Sequence, residues 1–333
     1  MTDLKLGDKK AFHEILAMIN EARARTVKVI NNELIDLYWR IGEYISAKNK
    51  AAGWGNRTVH NLSDFLQETE PNSKGFSSQN LWRMKQFYET YHENEKLSLL
   101  VREIGWTNNM IIVSQAKTEQ EKEFYLRLTA REKYSKNELL RQFESGLFER
   151  AMLSKENISP AAREIYPTIN EYVRDYYLFE FLKLKENYSE HSFKKAILKN
   201  LKEFILEFGK DFLFIDEEYK LQVGNKDYSI DLLFYHRGLN CLVALELKVG
   251  EFKPEYMGKM DFYLGALDKN VTKPHENPSI GIIMCRTKDE NIVEISLNRS
   301  TSPTVISQYE TKLISKELLR KKLNELFSPK HEE

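Results

Sequence analysis

Tyr228-Ser-Ile-Asp-Leu-Leu-Phe-Tyr-His-Arg-Gly-Leu-Asn-Cys-Leu-Val-Ala-Leu-Glu-Leu-Lys248 is the stretch from which the rest of the chain is read. Two arms dense in aliphatic, aromatic and β-branched residues flank Arg237-Gly238-Leu239-Asn240. That is the composition of a β-hairpin, and Gly at the first central position suits a type II′ turn. With Gly238 and Leu239 as the loop, pairing runs from 237 opposite 240 to Asp231 opposite Glu246. Directly opposed residues place their Cβ atoms about 5 Å apart. Lys248 shares the face of Glu246, because strand side chains alternate. Ile230, Leu232, Phe234, Val243, Leu245 and Leu247 point the other way and form a buried face.

Two adjacent carboxylates repel unless a cation lies between them. A hard divalent ion with oxygen ligands fits the pair Asp231 and Glu246, and magnesium is expected, with manganese able to substitute. Such an ion lowers the pKa of water and stabilises charge on a phosphoryl oxygen; the Lys248 ammonium orients the nucleophile or offsets developing charge. The plainer alternative makes Asp231 and Lys248 solvated residues near a sheet edge, since an Asp followed by Glu-x-Lys recurs by chance.

The 333 residues suffice for two domains with separate cores. At 41% hydrophobic and 30% charged residues, the chain has the composition of a folded, soluble protein. A formal net charge of zero removes the simplest argument for nucleic-acid binding, leaving a local basic patch as the only electrostatic route. Cys241 and Cys285 fall in expected strands and read as buried thiols of a reducing compartment. No apolar run approaches 18 residues, and a cytoplasmic protein is expected.

From Asp8 to Lys50 apolar residues recur at Phe12, Leu16, Ile19, Ile30, Leu34, Leu37, Ile41 and Ile45, the spacing of one or two long amphipathic helices. They either pack on the rest of their domain or form a coiled-coil-like seam. Helices are expected near Asn56–Thr69 and Ser78–Tyr91, around a polar turn containing Pro71 and Gly75. As a helix-turn-helix, the second would present Gln79, Asn80, Arg83 and Lys85 to a duplex, with Arg57 and Lys74 on phosphates. Against this, Leu81, Met84 and Phe87 suffice to bury that helix. A further helix is expected over Thr107–Ala116. Capping boxes, Thr118 with Glu121 and Ser135 with Glu138, start two more, ending near Arg131 and Arg150. His13, His60 and His92 lack metal-ligand spacing and read as surface residues.

The chain thus divides into a helical domain (1–155), a helical connector (156–188) holding the aromatic-rich Glu171–Lys185, and an α/β domain (189–330). In the last, a helix over Ser189–Gly209 precedes strands Phe212–Ile215 and Tyr219–Val223 and the hairpin. A helix Glu255–Leu267, strands Ser279–Cys285 and Asn291–Leu297, and a helix Ser315–Leu326 follow. On one continuous helical wheel Ile197, Leu201, Phe204 and Phe208 define the apolar face, with Glu190 and Lys194 on that side and Glu207 at its margin.

This order resembles the αβββαβ core of the PD-(D/E)xK nuclease superfamily, with Asp231 as its acidic strand residue and Glu246-Leu247-Lys248 as its (D/E)xK. Over most of the chain the sequence resembles the YhcG (DUF1016) family. Trp54-Gly55, Gly75-Phe76-Ser77, Asn80-Leu81, Met84, Phe87-Tyr88 and Trp106 match its N-terminal domain. Ile230–His236, Glu246–Lys248, Phe252–Glu255, Gly258–Met260, Phe262–Leu264 and Pro278–Cys285 match its nuclease domain. The resemblance implies an all-α N-terminal domain joined to a restriction-endonuclease-like domain, and a metal-dependent DNA nuclease, an endonuclease, acting in DNA defence or processing.

The resemblance also implies an acid from the first core helix. Relatives carry Glu-x-x-Leu-Glu there; this chain keeps Glu190 but has Phe193-Lys194 in place of Leu-Glu, so Glu190 or Glu207 is the candidate. In RecB-like members Gln-x-x-x-Tyr follows the lysine; here Lys259-x-x-x-Tyr263 stands instead, and Lys259 is a candidate phosphate contact. The expected site is then Asp231, Glu246 and the Leu247 carbonyl on the metal, Lys248 on the attacking water, and a helix acid. DNA is the expected partner and a homo-oligomer the expected assembly. The competing reading is a catalytically silent nuclease-fold protein that binds DNA or a partner.

Overall fold

The computed structural model describes residues 30–51, 55–69 and 75–327, and the chain divides into two compact units, Met1–Leu140 and Arg141–Glu333.

The first unit is helical. Residues 30–51 form α1, followed by α2 (Asn56–Thr69), α3 (Ser78–Tyr91), α4 (Glu95–Leu100), α5 (Trp106–Gln115), α6 (Glu119–Glu132) and the start of α7 (Lys136–Glu144). Phe12, His13, Leu16, Ile19, Trp54 and Lys74 lie outside the described residues. Both capping boxes form. Thr118 accepts from the Glu121 N–H at 3.1 Å, and Ser135 N–H donates to Glu138 at 2.7 Å.

The buried stripe of α1 is Ile35, Tyr38 and Ile45, whereas Ile30, Leu34 and Leu37 of the expected stripe are exposed. Gly42 explains the rotation. A Cβ there would lie 2.1 Å from the Met84 carbonyl oxygen, so α1 crosses α3 in near backbone contact, and the face centred on Gly42 is the one that packs. Leu81, Met84, Phe87 and Tyr91 bury α3, with Phe87 edge-on to Trp39 and Trp106.

The second unit continues with α8 (Leu147–Leu153), α9 (Pro160–Ile165), α10 (Ile169–Tyr172), β1 (Tyr176–Leu178), α11 (Glu190–Lys199), α12 (Leu201–Phe208), β2 (Phe212–Val223), β3 (Lys226–His236) and β4 (Cys241–Glu251). Then come α13 (Glu255–Asn270), β5 (Asn277–Thr287), α14 (Glu290–Asn298), β6 (Thr304–Glu310) and α15 (Lys316–Phe327). One six-stranded sheet has the order β1-β6-β5-β4-β3-β2. The β2-β3-β4 meander is antiparallel; β4, β5 and β6 are parallel, joined by the crossover helices α13 and α14. The run α11–β5 is the expected αβββαβ order.

Each face of the sheet carries a core. Phe193, Ile197, Phe204 and Phe208 of α11 and α12 pack on Leu232, Phe234, Val243, Leu245 and Leu247. Met257, Met260, Tyr263, Leu264 and Leu267 of α13, with Val293 and Leu297 of α14, pack on Leu233, Leu242, Ala244 and Ile283. Covering both faces explains why β4 and β5 are almost wholly apolar.

Five local expectations change. The aromatic-rich segment after Glu171 is not one helix: Tyr176–Leu178 forms the edge strand β1 beside β6. The helix after Ser189 breaks at Asn200 (φ −117°, ψ 37°), so a single wheel does not describe both halves. The strands expected on either side of Asp216 are one strand, β2, with a bulge between Phe214 and Asp216. Asn291–Leu297 is helical, because Asp289 caps the N–H groups of Asn291 and Ile292 and buries Val293 and Leu297 four residues apart. The hairpin closes on four residues, 237–240, and the left-handed one is Asn240 (φ 53°) rather than Gly238. Asn tolerates that conformation, and its amide also donates to the His275 carbonyl at 2.7 Å.

Candidate active site

The hairpin register agrees with the turn arithmetic. Pairs run from His236↔Cys241 to Leu232↔Leu245, one step short of Asp231 and Glu246. There the strands part. Beyond Leu245 the Leu247 N–H donates to the Asp231 Oδ2 at 2.9 Å. Ile230 packs in the α13 core, not with Leu232 as strict alternation requires, so the alternation of β3 breaks at Asp231. Opposite that break, Glu218 of β2 has φ 48°, a left-handed conformation that a non-glycine residue adopts only under local constraint. The Tyr263 hydroxyl braces the same region by donating to the Ser229 carbonyl at 2.6 Å.

Glu246 is 3% exposed on the central strand β4. Its Oε1 accepts from Lys248 at 2.9 Å and from Lys259 of α13 at 2.5 Å, while its Oε2 is buried with no hydrogen-bond partner. Lys248 Nζ also donates to the Leu247 carbonyl at 3.1 Å and to Glu190 at 3.4 Å, and it lies over the Tyr256 ring. Burial alone would lower the Lys248 pKa, but the Glu246 carboxylate beside it outweighs that and raises it above the usual lysine value. The same opposition, burial against Glu246, leaves Lys259 raised. Asp231 Oδ1 faces Lys194 of α11 at 3.7 Å, and Lys194 is gripped by Glu218 at 2.6 Å.

The donor set suits a hard cation. Glu246 Oε2 is an orphaned buried oxygen, Asp231 Oδ1 has a long ionic contact with Lys194, and the Leu247 carbonyl accepts from Lys248 Nζ. Among the described residues no group of three His, Cys, Asp or Glu could hold a metal.

Of the two helix acids, Glu190 reaches this site through Lys248, and Glu207 does not. Glu207 lies on α12, beyond the Asn200 break, fully buried against Arg141 (2.9 Å) and Arg150 (3.2 Å), with Arg174 at 3.9 Å. Its burial acts to raise its pKa, but Arg150, Arg141 and Arg174 together pull it down to about 2. It is a structural carboxylate. Lys259, expected on phosphate, instead holds Glu246. In the helical unit, Asn80 accepts from the Trp106 indole N–H (3.0 Å) and donates to the Gly75 carbonyl, and Lys85 pairs with Glu89 at 2.8 Å. Arg57 and Arg83 are exposed. Glu218 and Tyr256 are not legible as site residues; the acidic run Asp216-Glu217-Glu218 within a strand is the available signal.

A model of the YhcG PDDEXK nuclease domain matches residues 170–324, and one of the DUF1016 N-terminal domain matches residues 14–150. The chain is 28% identical over 345 residues to the protein named "Putative nuclease YhcG" of Escherichia coli (strain K12), covering 92% of this chain and 91% of that one. Similar solved structures include a repair endonuclease from Pyrococcus abyssi (TM-score 0.27, 19% identity, 38% of this chain and 50% of that one). Another is the EndoMS-dsDNA2 complex (TM-score 0.27, 14% identity, 39% and 48%); the likeness spans about half of each of those chains. No helix among the described residues is long and apolar enough to cross a membrane. With one family model over each part and one relative aligned along nine-tenths of its length, residues 14–150 belong to the DUF1016 N-terminal domain family and residues 170–324 to the YhcG PDDEXK nuclease domain family.

Proposed function

We propose that the chain hydrolyses DNA phosphodiesters with magnesium, using Asp231, Glu246, the Leu247 carbonyl and Lys248. The observation that carries this reading is the parting of β3 from β4 at Asp231. It turns a backbone N–H toward one carboxylate and leaves a buried oxygen of the other without a partner. Bound to those oxygens, the ion would lower the pKa of water and offset charge on a phosphoryl oxygen. Lys248, held between Glu246 and Glu190, serves here as a hydrogen-bond donor. It donates: it holds the attacking water or the phosphate by hydrogen bonds and offsets charge there. Glu190 steadies Lys248 from the helix side, and Lys259 fixes the Glu246 carboxylate so that its Oε2 stays turned away from both lysines.

In the helical unit, Arg57 and Arg83 are the candidate phosphate contacts, because Asn80 and Lys85 are engaged in packing. Self-association is supported by Ile30, Leu34, Leu37 and Tyr44, an exposed apolar stripe at spacings of four, three and seven along α1. Light scattering on the full chain and on a Leu34→Glu, Leu37→Glu variant tests it; identical masses would remove it.

The nuclease reading is tested by incubating plasmid and linear duplex DNA with the full chain in magnesium and in chelator. Nicked or shortened DNA appears only with magnesium, and Lys248→Ala and Asp231→Asn abolish it while keeping the melting curve cooperative. Cleavage by either folded variant at the wild-type rate contradicts the mechanism. Magnesium-independent absence of cleavage, with retained DNA binding, favours the non-cutting alternative.

A further inference from the structure

Lys194 is the ammonium at this site to which the nuclease reading gives no task. It lies one turn after Glu190 on α11, and its side chain is only 12% exposed. A solvated surface lysine gains little from a single ion pair, because the entropy of holding the chain offsets most of the attraction. Here the pairing is built. Glu218 adopts a left-handed backbone conformation in β2, and its carboxylate holds the ammonium at 2.6 Å. That grip sets Nζ 3.7 Å from Asp231 Oδ1, the oxygen that the Leu247 N–H leaves open. Lys194 also lines an open groove of about 1010 Å³ between α11 and β2.

An acid that bridges two divalent ions through separate oxygens must offer both. Asp231 has one oxygen on a backbone N–H and the other beside an ammonium. The direct ionic contacts point the same way. Asp231, Glu246, Glu190 and Glu218 supply four negative charges against three from Lys194, Lys248 and Lys259, a balance of minus one. One divalent ion reverses that balance by a single charge, whereas two would leave three uncompensated positive charges before any phosphate arrives. Like charges several ångströms apart in a half-buried site repel strongly.

We infer that Lys194 supplies the second positive charge of the site, so that the chain binds one divalent ion rather than two and meets the phosphodiester with an ammonium on the Asp231 side. This rests on the reading that Asp231 and Glu246 hold an ion. Calorimetric titration of the full chain with manganese, without DNA, tests it. The wild type is expected to take one ion per chain, lost in Asp231→Asn. Lys194→Glu is expected to take two. Lys194→Gln is expected to take one, bound roughly tenfold more tightly because a neighbouring cation is gone.

Two ions on the wild type would overturn the inference and leave the metal reading standing, as would a single ion on folded Lys194→Glu. Should Lys194→Glu fail to fold, unchanged affinity in Lys194→Gln would overturn it. No manganese binding, or binding indifferent to Asp231→Asn, would overturn the metal reading and the inference with it.

Discussion

The N–H of Leu247 donates to the Asp231 carboxylate at 2.9 Å, one step past the last β3–β4 pair. A side chain thus takes an amide that the sheet ladder releases, and the acid is fixed against the very segment that carries Glu246 and Lys248. Asn at 231 keeps an acceptor oxygen, whereas Ala leaves a buried N–H unmet at a cost of roughly 1–3 kcal/mol. Asp231→Asn is therefore expected to melt with the wild type, and Asp231→Ala several degrees lower, with both inactive in DNA cleavage. Equal melting temperatures for the two variants would show that the bond does not support the strand.

Lys248 acts as an ammonium in this account. Its folded pKa is raised, so the stability it contributes is complete below the ordinary lysine value of 10.5 and is lost as pH climbs through the raised value. The rate of cleavage between pH 7 and 9 should show no inflection from this residue. Lys248→Met should cost about 10²–10³-fold in kcat, the scale for losing one donor to developing charge. A wild-type inflection in that range that disappears in Lys248→Met would assign it the role of base instead.

The site was legible where local rules suffice. A symmetric turn fixes register whatever its type: four loop residues closed by Asn240 and two closed at Gly238 both pair His236 with Cys241 and Leu232 with Leu245. The capping boxes were equally readable, being contacts between residues three apart. What escaped is tertiary. The Asn200 break separates Glu190 from Glu207 in a way no periodicity marks, because Phe204 and Phe208 still bury on the expected core and Leu201 packs against it. Lys194 meets Glu218 across 24 residues, through a bulged strand and a positive φ that depend on packing rather than on spacing. The β-branched run after Asn291 was misread because the Asp289 cap outweighs strand propensity.

Glu207 offers a stability prediction separate from catalysis. Its carboxyl, lowered to about 2, contributes stability that is complete above the ordinary value of 4.5 and lost as pH falls through about 2. Glu207→Gln leaves the buried guanidinium of Arg150 and its neighbours without their anion, at a cost of roughly 3–5 kcal/mol. Urea melts should show that loss at pH 7 and a much smaller difference near pH 2. A variant equal to the wild type at pH 7 would refute the structural role.

Gly42→Ala probes the helical unit. The added Cβ would meet the Met84 carbonyl oxygen at 2.1 Å, and because that atom is backbone, α1 and α3 must separate. Overpacking of this kind costs about 1–3 kcal/mol, which outweighs the gain in helix propensity of about 1 kcal/mol. A lower melting temperature for the variant is expected, and a raised one would show that the crossing is loose.

The proposed mechanism requires the parted hairpin to hold a metal. Anomalous scattering from crystals of the full chain soaked in manganese tests it most directly. A peak is expected within coordination distance of Asp231 and Glu246, absent from Asp231→Asn crystals soaked alike. A soaked crystal with no peak there, or with the same peak in the variant, would contradict it.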